Sequence, residues 1–204
     1  MTKWDTFFKE RMQRILTEKP RLIDIGGGLR ALKKRGNRFD PSRAWMAPLL
    51  SKIDYKVLDP VPDFGPDIVG DIHKLPFADN SEDAVVCLAV LEHVEDPAQA
   101  ARELYRVLKP GGFCLVYVPF LFYYHAEVGY YKDYWRFTKD ALELIFKPFS
   151  VKEFQSVRGA LGTWLHISPL GRSKLLTALF RLFDRTLGKE DSRQVSGYYL
   201  FLVK

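Results

Sequence analysis

The chain has 204 residues, 47% of them hydrophobic and 27% charged, with a formal net charge of +6. A chain this long buries roughly 70% of its unfolded surface in one domain, and this composition excludes disorder and a collagen-like repeat. No apolar run reaches the roughly 20 residues of a membrane-spanning helix.

Residues 2–18 place Phe7, Phe8, Met12, Ile15 and Leu16 at helical spacing, and Pro20 ends that helix. The opening MTKWDTFFKERMQR lacks the apolar core of a secretory signal, so a cytoplasmic location is expected. Residues 22–25 form a short strand that runs into Gly26, Gly27 and Gly28. The basic cluster between Arg30 and Arg38 reads either as an anion-attracting patch or as a solvated loop. No aromatic residues interleave with its charges, so nucleic acid is not an expected partner.

Asp40-Pro41 reads as an N-cap with proline in the first turn, opening a helix to about Ser51. Strands follow at 55–58, ending in Asp59-Pro60, and at 68–69. Residues 84–89 are a continuous apolar run, as in a strand buried on both faces. Asp96-Pro97 repeats the capped start, and its helix carries Ala100, Ala101, Leu104, Val107 and Leu108 on one face. Lys109-Pro110-Gly111-Gly112 ends it and leads into a strand at 113–118. Thr138 caps a helix through Phe146, followed by a strand at 149–157, an amphipathic helix at 172–187 and a closing strand at 195–203. Cys87 and Cys114 fall inside strand-like runs and are expected to be buried, reduced thiols.

Strands alternating with helices predict an α/β fold, a doubly wound and mainly parallel sheet with helices on both faces. The expected organisation is a single domain over 1–204. Within it lie an N-terminal helix (1–20), a cofactor-binding core (21–119), an acceptor-side loop with a helical insertion (120–194) and the closing strand (195–204).

Gly26-x-Gly28-x-x-Ala31 satisfies the spacing of a dinucleotide turn and offers an NAD-dependent oxidoreductase as one reading. Two features count against it. Its ribose-binding acid belongs about 20 residues past the glycines, whereas Asp59 falls well beyond that. Asp24 also brings negative charge towards a turn meant for pyrophosphate. Asp24, Asp59 and Asp71 lie at or beside strand ends, where α/β sheets bind ligands. A cofactor with an ammonium, a sulfonium and no phosphate suits that set, namely S-adenosyl-L-methionine.

The segments LIDIGGG, YKVLDP, DIVGDIHKLPFADNSEDAVVCLAVLEHVEDP and ELYRVLKPGGFCLVYVPF resemble, in order and spacing, a class I methyltransferase that uses S-adenosylmethionine. The nearest type is the type 11 methyltransferase domain, and the resemblance spans about residues 21–119. It implies a seven-stranded Rossmann-like sheet. It implies that Asp24, Gly26, Gly27 and Gly28 line the methionine end, that Asp59 binds the ribose, and that Asp71 and Ile72 bind the adenine. Leu88 and Ala89 would contact the methionyl portion, with His93 beside the transfer site. Arg30 stands where the family has a third glycine, and the stretch KKRGNRFD interrupts the helix expected after the turn. No metal is expected.

The aromatic stretch ending DYWRFT resembles a subset of these methyltransferases associated with sugar or cell-envelope metabolism. An O-methylated sugar-, lipid- or phenol-like hydroxyl is therefore the expected acceptor, a small molecule or a glycan- or lipid-like compound, with nitrogen acceptors left open. His125 is the first candidate for a base, with Asp133 or Glu127 next. Tyr124, Glu127, Tyr134, Trp135 and Arg136 are candidate acceptor-binding residues. The competing reading has the aromatics pin the loop to the core while Asp133 pairs with Arg136. The helix at 172–187 reads as a lid, as a surface resting on anionic lipid, or as an ordinary helix covering the sheet. A non-catalytic binding module is the third reading of the whole chain.

Overall fold

The computed structural model describes residues 1–33, 39–190 and 192–204, so most of the basic cluster, 34–38, lies outside the described residues. Helix α1 (Lys3–Glu18) starts at a capping box in which Thr2 and Asp5 satisfy each other's backbone N–H. Its buried face consists of the five residues picked out by periodicity.

Strands β1 (Arg21–Ile25), β2 (Asp54–Asp59), β3 (Ile68–Val69), β4 (Glu82–Leu88), β5 (Leu108–Pro119), β6 (Val151–Val157) and β7 (Gly197–Val203) form one sheet in the order β3-β2-β1-β4-β5-β7-β6. All neighbours pair in parallel except β7, which runs antiparallel to both β5 and β6. Two apolar layers cover the faces. Met12, Ile15, Met46 and Phe201 lie in one, and Leu104, Leu142, Phe146 and Phe149 in the other. Both cysteines are buried free thiols.

The helix expected from Asp40 begins as a 3-10 turn over Pro41–Met46 and becomes α2 only at Ala47–Leu50. Helix α3 (Pro97–Val107) is capped by Asp96, whose side chain accepts from the Gln99 N–H. Helix α4 is Lys139–Ile145.

Helix α5 (Ala160–Ile167) was not legible in the sequence, and it carries the helix at 172–187, here α6 (Lys174–Thr186). The α6 face does not cover the sheet as an ordinary helix would. Leu175, Leu182 and Leu187 are exposed, and Phe180 stacks on Trp164 of α5 at 5.9 Å. Its anchor is Asp184, buried, whose carboxylate accepts from the Leu161 and Gly162 N–H groups at 2.9 and 2.8 Å. A carboxylate at a helix N-terminus meets both orphan donors and the positive end of the dipole.

Replacing this cap, Asp184→Ala, is expected to cost about 1–2 kcal/mol. That corresponds to a fall in Tm of about 3 °C or more for a chain of this size. Thermal unfolding checks it, and an unchanged Tm would show that the cap contributes nothing.

Candidate active site

Parallel register brings three strand ends level, with Ile25 opposite Leu58 on one side and Cys87 on the other. The strand order reverses at β1, the point where doubly wound sheets open a crevice. A cavity of about 780 Å³ occupies it, within the size range of small-molecule sites.

The glycine turn forms its floor. Gly26 and Gly27 have φ of 74° and 60°, a region that side chains avoid. A Cβ at Gly28 would stand 2.7 Å from the Leu88 carbonyl, so only glycine fits against the end of β4. Ala89, on the wall, holds φ at 55° despite its side chain, while its N–H donates to Tyr117. Among the described residues no helix starts directly after the glycines. Leu29 closes the turn, and the first helical residue of the described chain after it is Pro41. Among the described residues, then, no helix N-terminus of the kind on which a dinucleotide turn seats pyrophosphate adjoins the glycines.

Asp24 lies beneath this turn, fully buried, rather than on the cavity wall. Its Oδ2 accepts from the Leu29 N–H and the Tyr55 hydroxyl, while Oδ1 has no partner. Burial pushes its carboxyl up to about 7, against the two hydrogen bonds. Arg43 holds the turn from the other side, donating to the Gly28 carbonyl at 2.5 Å, and its guanidinium rests over the Phe8 ring. Arg43 lies in no motif, and Tyr55, although it opens the segment YKVLDP, carried no role there.

Asp59 is on the wall and buried. One carboxylate oxygen accepts from the Val61 N–H at 2.8 Å, and burial raises its pKa, only partly offset by that bond. Asp71, Ile72, Leu88, Ala89 and His93 also line the cavity. Asp71 accepts from the His73 N–H at 2.9 Å and faces the His73 ring nitrogen at 2.7 Å.

The stretch after β5 forms the opposite wall through Tyr124, Glu127 and Tyr134, together with Val128, Tyr130 and Tyr131. Four other expected site residues stand behind that wall. Asp133 and Arg136 form a two-pronged ion pair at 2.6 and 2.7 Å, and Arg136 also donates to the carbonyls of Phe122, Tyr123 and Trp135. Its donors are consumed within the loop, which corrects its reading as a clamp for the acceptor. Arg136 holds the Asp133 carboxyl down to about 2. Trp135 donates its indole N–H to the Val94 carbonyl, so it fastens the loop instead of facing acceptor. Backbone N–H groups of Tyr134 and Trp135 both bond the Glu92 carbonyl. The reading in which this motif pins the loop is the one these contacts match.

His125 is the fourth, set between Glu92 and Asp133. Its Nε2 lies 3.6 Å from Glu92, its Nδ1 3.3 Å from Asp133, and its ring meets His93 edge-on at 4.9 Å. The Glu92 carboxylate raises the His125 pKa above the ordinary histidine value, with burial opposing. Glu92 was missed by the sequence reading although it adjoins His93. Its side chain is buried, and neither oxygen has a hydrogen-bond partner.

Comparison with known proteins bears on this arrangement. Residues 40–116 match the methyltransferase domain family (Methyltransf_11). Over 107 residues the chain is 34% identical to the ubiquinone/menaquinone biosynthesis C-methyltransferase UbiE of Vibrio cholerae, covering 47% of this chain and 40% of that relative. Among solved structures, a SAM-dependent methyltransferase from Archaeoglobus fulgidus superposes with a TM-score of 0.59 at 13% identity, over 98% of this chain and 94% of the other. A possible histamine N-methyltransferase from Thermotoga maritima gives 0.55 at 18%, over 96% and 86%. The fold is that of the class I methyltransferases. No helix among the described residues is long and apolar enough to cross a membrane.

The folded pKa of Asp24 lies above its ordinary value, so its contribution to stability is complete below pH 3.8 and lost as pH rises through about 7. Asp24→Asn keeps an acceptor oxygen for Tyr55 and Leu29 and removes that loss. The Tm of the variant relative to wild type is expected to climb across this interval in thermal melts, and a constant difference would refute the assignment.

Proposed function

We propose that the chain is a methyltransferase that uses S-adenosylmethionine and acts on a hydroxyl of a sugar-, lipid- or phenol-like acceptor. Asp59 carries the cofactor reading. A buried carboxylate with a single backbone donor, set on a cavity wall, calls for further donors, and a ribose supplies two hydroxyls. The glycine floor supports it too, because Gly28 leaves no room for a side chain between the turn and β4. In this reading Gly26, Gly27, Gly28, Leu88 and Ala89 hold the methionyl end, and Asp71 and Ile72 the adenine end. When bound, the cofactor supplies an electrophilic methyl on sulfur, so the protein's task is mainly alignment. Asp24 acts as a positioning residue for the turn.

Tyr124, Tyr130, Tyr134 and Val128 support an acceptor with a flat or chain-like apolar body. A hydroxyl acceptor also has to lose a proton. In the protein without a bound ion, the chain Glu92–His125–Asp133, reached from the cavity through His93, is a set of groups able to accept it. The name of the V. cholerae relative favours a second reading, transfer to a ring carbon of a phenol-like acceptor. Carbon NMR of the methylated product separates methoxy from ring-methyl.

Thermal-shift titration tests the cofactor. At 100 times its Kd, S-adenosylhomocysteine should add about 2.7 kcal/mol of stability, and NADH none. Asp59→Ala should abolish that shift, whereas a shift with NADH alone would overturn the reading.

With labelled S-adenosylmethionine and a panel of sugar, phenol and lipid hydroxyls, His125→Ala should slow turnover by about 100-fold or more while leaving homocysteine-cofactor affinity nearly intact. Unchanged turnover would make His125 structural.

A further inference from the structure

We propose that Glu92, His93 and His125 bind one divalent cation of the kind that favours imidazole together with carboxylate, Zn²⁺ being the closest fit. Cation binding stands on the geometry of these three residues alone, and only its use by the acceptor rests on the methyl-transfer reading.

The argument starts from the ring nitrogens. Nδ1 of His93 lies 2.7 Å from the Lys132 carbonyl, and Nδ1 of His125 lies 3.1 Å from the Tyr123 carbonyl. A carbonyl oxygen only accepts, so each Nδ1 carries its proton and each neutral ring keeps its free lone pair on Nε2. Both Nε2 atoms face the same carboxylate, at 4.0 and 3.6 Å from Glu92 Oε1. Glu92 is inaccessible to solvent, and neither of its oxygens has a hydrogen bond. With both rings neutral, three lone-pair donors converge on one point, and the nearest proton the protein has for Glu92 is that of a protonated His125 Nε2, 3.6 Å away. A charged group left in that position is costly, and a positive ion among the three removes the cost.

The surroundings match those of metal-binding histidines, whose second ring nitrogen donates to a carbonyl or carboxylate. His93 has the Lys132 carbonyl. His125 has the Tyr123 carbonyl and, at 3.3 Å, Asp133, which Arg136 fixes in turn. The donor atoms of all three ligands lie within 4.8 Å of one another. Bonds of about 2.0–2.2 Å to zinc bring ligand atoms to roughly 3–3.5 Å apart, so closure takes about 1 Å of ring movement. Two histidines and one glutamate leave a coordination position open. Of the three residues His93 lines the cavity, together with Ala89 and Val90, which gives the ion an approach from that side. This proposal departs from the expectation, drawn from the sequence, that the protein binds no metal.

The test uses the full chain, freed of any purification tag and stripped with a chelator. Co²⁺ serves as the probe, followed by its visible absorption and by elemental analysis after dialysis. One equivalent should bind to wild type, with affinity reduced about tenfold or more in each of Glu92→Gln, His93→Ala and His125→Ala, and unchanged in His73→Ala. Failure of wild type to bind one equivalent, or unreduced affinity in any of the three ligand variants, overturns the proposal. Stabilisation by S-adenosylhomocysteine, measured on the same samples, reports on the cofactor pocket separately. Retained stabilisation with lost Co²⁺ assigns the loss to the metal ligands and not to misfolding. Absent stabilisation in a wild type that binds Co²⁺ would sink the methyl-transfer reading and leave the cation site standing.

Discussion

The site depends first on one buried carboxyl group. Asp24 lies in the central strand of the sheet, and its Oδ2 gathers the Leu29 N–H at 3.1 Å and the Tyr55 hydroxyl at 2.8 Å. The first bond folds the glycine turn back over the end of β1, and the second joins it to β2. Arg43 closes the same turn from outside by binding its carbonyls. The turn is therefore held at both its N–H and its C=O groups. A rigid floor built this way leaves the turn's upper surface free for a ligand.

The far wall obeys a different constraint. Residues between β5 and α4 have no strand or helix of their own, so side-chain bonds fix their backbone. The ion pair of Asp133 and Arg136 sits at the centre. Arg136 binds three carbonyls of the loop, Asp133 accepts the His125 N–H, and Trp135 ties the loop to Val94. The loop's aromatic rings are then presented to the cavity by a frame of polar contacts. A partly buried pair with this many satisfied hydrogen bonds specifies one loop conformation, whatever its net contribution to stability.

Periodicity and punctuation made most of the fold legible. The five buried residues of α1, the two-residue strand β3 and the apolar run of β4 follow directly from residue spacing, because each depends on neighbours in sequence. The glycine turn and Asp59 were legible as chemistry for a similar reason, since strand ends define where ligands bind. Roles that depend on partners far along the chain were not. Arg136 could be read equally as a clamp for the acceptor or as half of an internal pair. The outcome was decided by carbonyls that only the folded loop brings near. Helix α5 escaped notice because the side chain that caps it, Asp184, comes from the following helix. Glu92 looked like an ordinary member of LEHV until folding carried His125 to its side, 33 residues on in the sequence.

Charge gives the last link between composition and site. The chain carries +6 overall, yet the cavity lining opposes Asp59, Asp71, Glu95 and Glu127 to Arg30 and Lys132, four carboxylates against two cations. Among the described residues the lining itself therefore carries a negative formal charge, and so a negative field, against the positive total of the chain. Such a field concentrates cations at the mouth and resists polyanions. A pyrophosphate cofactor would meet repulsion from these carboxylates, and among the described residues no helix terminus adjoins the glycines to offset it. A cofactor with ammonium and sulfonium charges, and a divalent ion at Glu92, would both be drawn in. The same electrostatic asymmetry that disfavours the dinucleotide spacing of Gly26, Gly28 and Ala31 thus favours both ligands proposed for this crevice.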